Sequence, residues 1–139
     1  MARIDDGFQT LVSFANYPDV LLWEKEVTPP GVDGGGANET TTMRNTAWRT
    51  RSPKQLKTLT DASGVYAYDP AAYEDLVDMV NENQQITITF ADGQTLTFWG
   101  WLDKFTPQRV VEGEQPTAEV TIVPSNQNAA GEEEAPVLA

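Results

Sequence analysis

The sequence predicts a mainly β fold of the α+β class: an antiparallel β-sandwich or barrel-like two-layer body with one flanking α-helix and a long protruding loop. Three observations carry that reading. Short runs alternate apolar and polar residues at period two, most clearly in "QQITITFADGQTLTFWGWLDKF" (84–105). A single stretch, "YDPAAYEDLVDMVNEN" (68–83), repeats apolar residues at helical spacing. Between the early strands lies "VDGGGANETTTMRNTAWRTR" (32–51), with three consecutive glycines, three consecutive threonines and a basic end. A small domain rarely carries so long an excursion unless it is used.

Taken in order, "FQTLVSFA" (8–15) is the first strand, with Phe8, Val12 and Phe14 on one face, and "NYPD" (16–19) is a turn by composition. "VLLWEKEV" (20–27) is the second strand, stopped by Pro29-Pro30-Gly31. "MRNTAWRTR" (43–51) and "PKQLKTLT" (53–60) alternate without a clean apolar face. Both read as edge-like or arm-like strands whose Lys and Arg guard against wrong pairing. In the helix, Asp69 is the natural N-cap and Pro70 the first helical residue, and Glu74 and Asp75 lie where the dipole favours acid. Tyr73, Leu76, Val77 and Val80 form its apolar stripe and Met79 flanks them, so the helix must lie on a sheet.

The hairpin that follows has a register fixed by its faces. A two-residue Asp92-Gly93 turn would set Phe90 against Thr95 and Ile88 against Thr97. A three-residue Ala91-Asp92-Gly93 loop, with Gly93 left-handed, pairs Ile88 with Leu96, Ile86 with Phe98, Thr87 with Thr97 and Thr89 with Thr95. Since one slip turns every side chain to the wrong face, the three-residue loop is the choice. "KFTPQRVV" (104–111) reads as a Pro-containing edge strand and "TAEVTIVP" (117–124) as the last strand. The chain therefore divides into a domain over 1–124, including the protruding loop 28–50, and an acidic C-terminal tail over 125–139, flexible or docked on a partner.

Composition narrows function. The chain of 139 residues has no cysteine and no histidine, which removes disulfides, thiolate metal sites, the commonest general base and the Ser-His-Asp and Cys-His arrangements. It holds no apolar run of membrane-spanning length and opens on "MARIDDGFQ" without an apolar signal core, so the Asn38-Glu39-Thr40 sequon reads as chance. The net charge of −12 is unevenly placed. Residues 1–57 carry seven basic and seven acidic side chains, residues 58–139 two basic and fourteen acidic. Five of the nine basic residues, Arg44, Arg49, Arg51, Lys54 and Lys57, sit together. Such a balance argues against sequence-specific duplex binding and for a basic segment that docks on an acidic surface of another copy of the chain. Asp75 with Asp78, and Glu132 to Glu134, read as solvated acids rather than an acid–base pair or a cation site, and Gly34-Gly35-Gly36 lacks the ending of a phosphate loop. No catalytic residue, metal or cofactor is assigned. Trp99 and Trp101 share one face of their strand, open to core packing under the helix, a subunit interface or a sugar-stacking platform, and Trp48 is as much an interface anchor as a core residue.

The order of elements, with the stretches "GGGANETTTMRNTAWRTRSPKQLKTLT", "DPAAYEDLVDMVNEN" and "QTLTFWGWLDKFTP", resembles the tail tube protein (major tail protein) of long-tailed, non-contractile bacteriophages. That superfold is shared with inner tube proteins of contractile tails and type VI secretion. The resemblance implies homohexameric rings stacked into a hollow tube in the virion tail, assembled in the host cytoplasm around a tape-measure protein and alongside other tail proteins. DNA passes in transit without specific binding, and no membrane is involved. It places Gly34, Gly35, Gly36, Thr40, Thr41, Thr42, Arg44, Trp48, Arg49, Arg51, Lys54 and Lys57 on an inter-subunit arm that becomes ordered only against a neighbour. The Thr87, Thr89, Thr95, Thr97 face is the candidate lumen lining. The alternatives are an inner tube of a contractile tail or secretion system, which a neighbouring sheath gene would mark, and a carbohydrate-binding β-sandwich, which predicts a soluble monomer. A carboxylate enzyme is the remaining rival.

Overall fold

The computed structural model describes residues 10–18, 23–67, 73–90 and 92–139. The strands in chain order are β1 (Leu11–Phe14), β2 (Trp23–Thr28), β3 (Val32–Asp33), β4 (Ala37–Glu39), β5 (Arg51–Pro53), β6 (Thr58–Leu59) and β7 (Ala62–Ala67). The helix α1 (Tyr73–Met79) follows, then β8 (Gln84–Thr89), β9 (Thr95–Pro107), β10 (Thr117–Pro124) and β11 (Val137–Leu138). Seven strands form one antiparallel sheet in the order β1-β8-β9-β10-β7-β2, with β11 added to β9. Its two edges approach each other: the Val12 N–H of β1 donates to the Glu24 carboxylate of β2 at 3.0 Å. The chain is thus mostly β with one helix among the described residues, as the alternating runs predict.

Alternation places the core. Val12 and Phe14 from β1, Ile86 and Ile88 from β8, Phe98 and Leu102 from β9, Val120 and Ile122 from β10, and Ala62 and Tyr66 from β7 all point into one cluster. Each fully buried large apolar side chain contributes about 1.5–3 kcal/mol. The helix closes the cluster with Leu76 and Met79. The predicted stripe is therefore shifted in phase: Leu76 and Met79 are buried, Val80 is half-buried, and Tyr73 and Val77 are exposed. A helix of about two turns packed against β9, to which Val80 bridges at Leu102, buries only the side that faces that strand and the core. The proposed cap at Asp69 and Pro70 lies outside the described residues, as do Phe8 and Val20 of the first two predicted strands.

The 84–105 hairpin has the predicted register: Ile88 opposes Leu96, Ile86 opposes Phe98, Thr87 opposes Thr97 and Thr89 opposes Thr95. Phe90 N–H donates to the Gln94 carbonyl at 2.8 Å, and Gly93 has φ of 91°, as a three-residue loop with a left-handed glycine requires. Ala91 itself lies outside the described residues.

Four readings need correction. β7, "ASGVYA", is absent from the sequence reading, yet it pairs with both β10 and β2. The stretch 104–111 is no separate edge strand: β9 runs on to Pro107 and pairs with β10 through Ala118 opposite Pro107. Trp99 and Trp101 do not pack under the helix, because Phe98 and Leu102 carry that face of β9 and the two tryptophans lie half-buried on the other. Nor is 125–139 a loose tail. It returns to the sheet, where Val137 pairs with Thr97 and Leu138 with Leu96, and Thr95 and Ala139 exchange backbone hydrogen bonds at 2.9 and 2.8 Å. Its acidic side chains remain exposed.

Candidate self-assembly interface

Residues 31–60 form an arm standing off the sheet. At its base, Gly31 and Thr60 are locked by two hydrogen bonds, Gly31 N–H to the Thr60 hydroxyl (2.7 Å) and Thr60 N–H to the Gly31 carbonyl (2.8 Å). β3 then pairs with β6, where Leu59 drops into the core. Beyond that ladder the chain bends through Gly35 and Gly36, whose φ values of 84° and 91° lie in the left-handed region that side chains disfavour. Gly35 N–H is held by the Asp33 carboxylate at 2.8 Å. A second ladder follows, β4 with β5, in which Glu39 opposes Arg51.

Threonine hydroxyls lace the tip. Thr50 N–H donates to the Thr41 hydroxyl at 2.9 Å, the Thr41 hydroxyl meets the Glu39 carboxylate, and Thr40 N–H donates to the Thr50 carbonyl at 3.0 Å. Asn45 completes the turn: its Oδ1 accepts from Thr42 N–H at 3.1 Å and its Nδ2 donates to the Trp48 carbonyl at 2.7 Å. The excursion is therefore ordered within a single chain, not only against a neighbour. The basic strand predicted over 43–51 is instead a turn and an irregular return leg, with strand only at β5. Short side chains that bond their own backbone favour such turns over ladders.

All twelve predicted arm residues lie on this one element. Gly34 to Gly36 make the bend, Thr40 to Thr42 and Arg44 the tip, Trp48 and Arg49 the return leg, Arg51 lies in β5, Lys54 just after it, and Lys57 just before β6. All five cations are exposed, and none makes an ion pair with a carboxylate among the described residues. Trp48 is 84% exposed and Met43 fully so. An indole bared at the end of a hydrogen-bonded hairpin is a poor core residue and a good interface anchor. Sequence reasoning missed Asn45, although an Asn between turn-prone residues is the usual signal of a side-chain-closed turn.

The threonine set lies apart from the arm, on the face of β8 and β9 opposite the core. Thr87 and Thr97 hydroxyls sit 3.4 Å apart, and the four side chains are half-buried. Pairing extends this face across four strands, with Ser13 beside Thr87, Leu11 beside Thr89 and Val137 beside Thr97. No formal charge stands among these residues.

Charged chemistry elsewhere is sparse. The Glu82 carboxylate takes hydrogen bonds from the Tyr17 hydroxyl (2.8 Å) and the Asn16 side chain (3.1 Å), tying β1 to β8, and the bond to Glu82 raises the Tyr17 pKa. Burial, then the Glu24 charge, raises that of Tyr66. Among the described residues no three His, Cys, Asp or Glu side chains are grouped to hold a metal, and no helix is long and apolar enough to cross a membrane.

The whole chain aligns with solved structures of tail assemblies. It covers 98% of itself and 99% of a chain from the virion of a native gene transfer agent particle, with TM-score 0.69 and 10% identity. The chain shares the fold of that particle's chain. The same fold recurs in a chain of the six-fold symmetrised baseplate of the anti-feeding prophage, with TM-score 0.67, 10% identity and coverage of 100% and 97%. It recurs again in the tail of the empty gene transfer agent particle, solved with C6 symmetry, at TM-score 0.66, 9% identity and coverage of 98% and 99%. No protein-family model and no curated protein matches the sequence.

Proposed function

We propose that the chain is a structural tail protein that self-assembles into stacked hexameric rings, forming the hollow tail tube of a virion through which a genome is delivered. The observation that carries this is the end-to-end match of its fold to chains from two tail assemblies whose structures have six-fold or C6 symmetry. A head-to-tail contact that closes after six copies makes a ring, and the two ends of a ring then stack. The partners in this reading are other copies of the chain, a tape-measure protein in the lumen and other tail proteins, assembled in the host cytoplasm. DNA is a passenger, and the chain is not an enzyme.

The arm supplies what such an assembly needs: an element outside the core, ordered in advance and bearing exposed apolar and cationic groups. The Thr87, Thr89, Thr95, Thr97 face is our candidate lumen wall, since an uncharged hydroxyl surface on an acidic protein neither holds phosphates nor traps a sliding strand. An inner tube of a contractile tail or secretion system would use the same ring.

Negative-stain microscopy of the purified protein at high concentration tests the reading. Rings or tubes of uniform width are expected. A strict monomer at every concentration overturns it.

A further inference from the structure

We propose that Asp33-Gly34, at the bend of the arm, is a site of spontaneous covalent modification: Asp33 isomerises to isoaspartate through a cyclic imide, and the isomerised chain presents a misdirected arm. The modification stands on the geometry of the bend alone, and only its effect on assembly rests on the self-assembly reading above. The sequence holds three Asp-Gly pairs, Asp6-Gly7, Asp33-Gly34 and Asp92-Gly93. The first lies outside the described residues. Isomerisation begins when the backbone nitrogen of the following residue attacks the aspartate Cγ. Glycine hinders that approach least, having no side chain and a permissive backbone.

The two described pairs share one feature and differ in another. At each, the carboxylate folds back along the chain: Asp33 accepts from Gly35 N–H at 2.8 Å and Asp92 from Gln94 N–H at 3.0 Å. Each Cγ is thereby held beside the intervening glycine nitrogen. The Gly93 nitrogen is engaged, since its N–H donates to the Phe90 carbonyl at 3.0 Å inside the hairpin loop. The Gly34 N–H has no hydrogen-bond partner among the described residues. Gly34 follows the last pair of the β3–β6 ladder, Asp33 opposite Thr58, and nothing would lie within 4 Å of a Cβ built there. Both Asp33 and Gly34 are exposed, so water reaches them.

The attack forms a bond from the Gly34 nitrogen to Cγ, the nitrogen loses its proton, and one carboxyl oxygen leaves as water. One water then adds across the bond between that nitrogen and the main-chain carbonyl carbon of Asp33. The product has the composition of the starting chain. Its backbone is one carbon longer between the β3–β6 ladder and the left-handed Gly35 and Gly36, and its carboxylate has moved from Cβ to Cα. Gly35 N–H loses its acceptor, and the tip beyond the bend is re-aimed. Leu59, which anchors the base of the arm in the core, lies on the other leg of the ladder and keeps its place.

The purified chain, held at neutral pH and physiological temperature, is digested with trypsin and mapped by electron-transfer fragmentation, which separates isoaspartate from aspartate at equal mass. Cleavage after Lys25 and Arg44 releases residues 26–44, in which Asp33 is the only aspartate. Isoaspartate should accumulate about two- to tenfold faster at Asp33 than at Asp92, the rate equivalent of the one net hydrogen bond that holds the Gly93 nitrogen. Gly34→Ala is the control. Position 34 has no left-handed φ and has room for a methyl group, while that methyl hinders the attack. The variant should suppress isoaspartate at Asp33, leave Asp92 unchanged and assemble as the wild type does when fresh. Tubes grown from aged wild-type protein should be depleted in isoaspartate at Asp33 relative to the unassembled fraction, and aged Gly34→Ala should keep its assembly. Isoaspartate at Asp92 equal to or above that at Asp33, or none at Asp33, overturns the site. Equal isoaspartate in tubes and in unassembled protein overturns the effect on the arm. A fresh wild-type chain that never assembles overturns the tube reading, and the peptide map then still decides the site.

Discussion

At the scale of single residues, Gly64 shows how pairing dictates identity. It lies in β7 between Val27 of β2 and Val120 of β10. A Cβ there would stand 2.5 Å from the Glu26 carbonyl oxygen and 2.7 Å from the Tyr66 hydroxyl. Gly64→Ala must push backbone apart, and we expect a loss of about 1–3 kcal/mol, read from the urea midpoint. Nothing local in the sequence announces this, because the constraint comes from two strands distant along the chain. Gly93 was legible for the opposite reason: its left-handed φ of 91° serves a turn built from adjacent residues. Tyr66 and Tyr17 give a pH prediction. Both hold their phenol protons more tightly when folded than the ordinary value of 10, Tyr66 through burial and then Glu24, Tyr17 through its bond to Glu82. Above pH 10 the unfolded chain releases protons that the folded chain keeps, so folding stability is fully present below pH 10 and declines as pH rises past it. Urea midpoints at successive alkaline pH values should fall, and Tyr66→Phe should flatten the slope.

At the scale of elements, legibility followed how local the deciding interaction is. The 84–105 hairpin was readable to the residue because a short loop and two faces admit one register. β7 escaped because its inward positions Ala62 and Gly64 are small and give little apolar signal, although both are buried. β11 escaped because two residues have no periodicity and their pairing with β9 is remote in sequence. The helix was found, but its phase was set by its packing on β9 rather than by its own stripe. That difference is measurable. Leu76→Ala should cost about 2–5 kcal/mol as a core truncation. Val77→Ala should change stability by no more than about 0.5 kcal/mol, as at an exposed site. Equal losses at the two positions would contradict the buried face described above. The arm was legible as an excursion with a glycine bend and a basic, tryptophan-bearing end, but not as two short ladders with a hydroxyl-laced tip. Side-chain hydrogen bonds such as those of Thr41 and Asn45 depend on the return leg being in place. Asn45→Ala should accordingly speed amide exchange at Thr42 and raise the assembly threshold while leaving the urea midpoint unchanged.

At the scale of the whole molecule, the fold separates into a body that holds itself together and an arm that adds little to that cohesion. Leu59, at the arm's base, is buried, and beyond the base the described arm side chains are exposed or half-buried. Replacing residues 34–57 with a short turn would keep the β3–β6 ladder and Leu59 while removing the bend, the tip and all five clustered cations. Shortening the connection about sixfold lowers its closure cost by at most roughly 1–2 kcal/mol, so the body should unfold at or somewhat above the wild-type urea midpoint. Assembly should be lost, since the exposed indole and its cations go together. Salt offers an independent check on the same division. Raising ionic strength from about 0.15 M to 1 M shrinks the Debye length from about 8 Å to about 3 Å. That should weaken contacts between the arm cations and the acidic remainder of a neighbour, while the mainly apolar core is little affected. Wild-type tubes should therefore need more protein at high salt, and the Arg44→Glu, Arg49→Glu chain should lose that dependence or reverse it. A truncated arm that unfolds the body would mean that the arm belongs to the core. A salt-independent wild type would mean that apolar contacts such as Trp48, rather than charge, carry the interface.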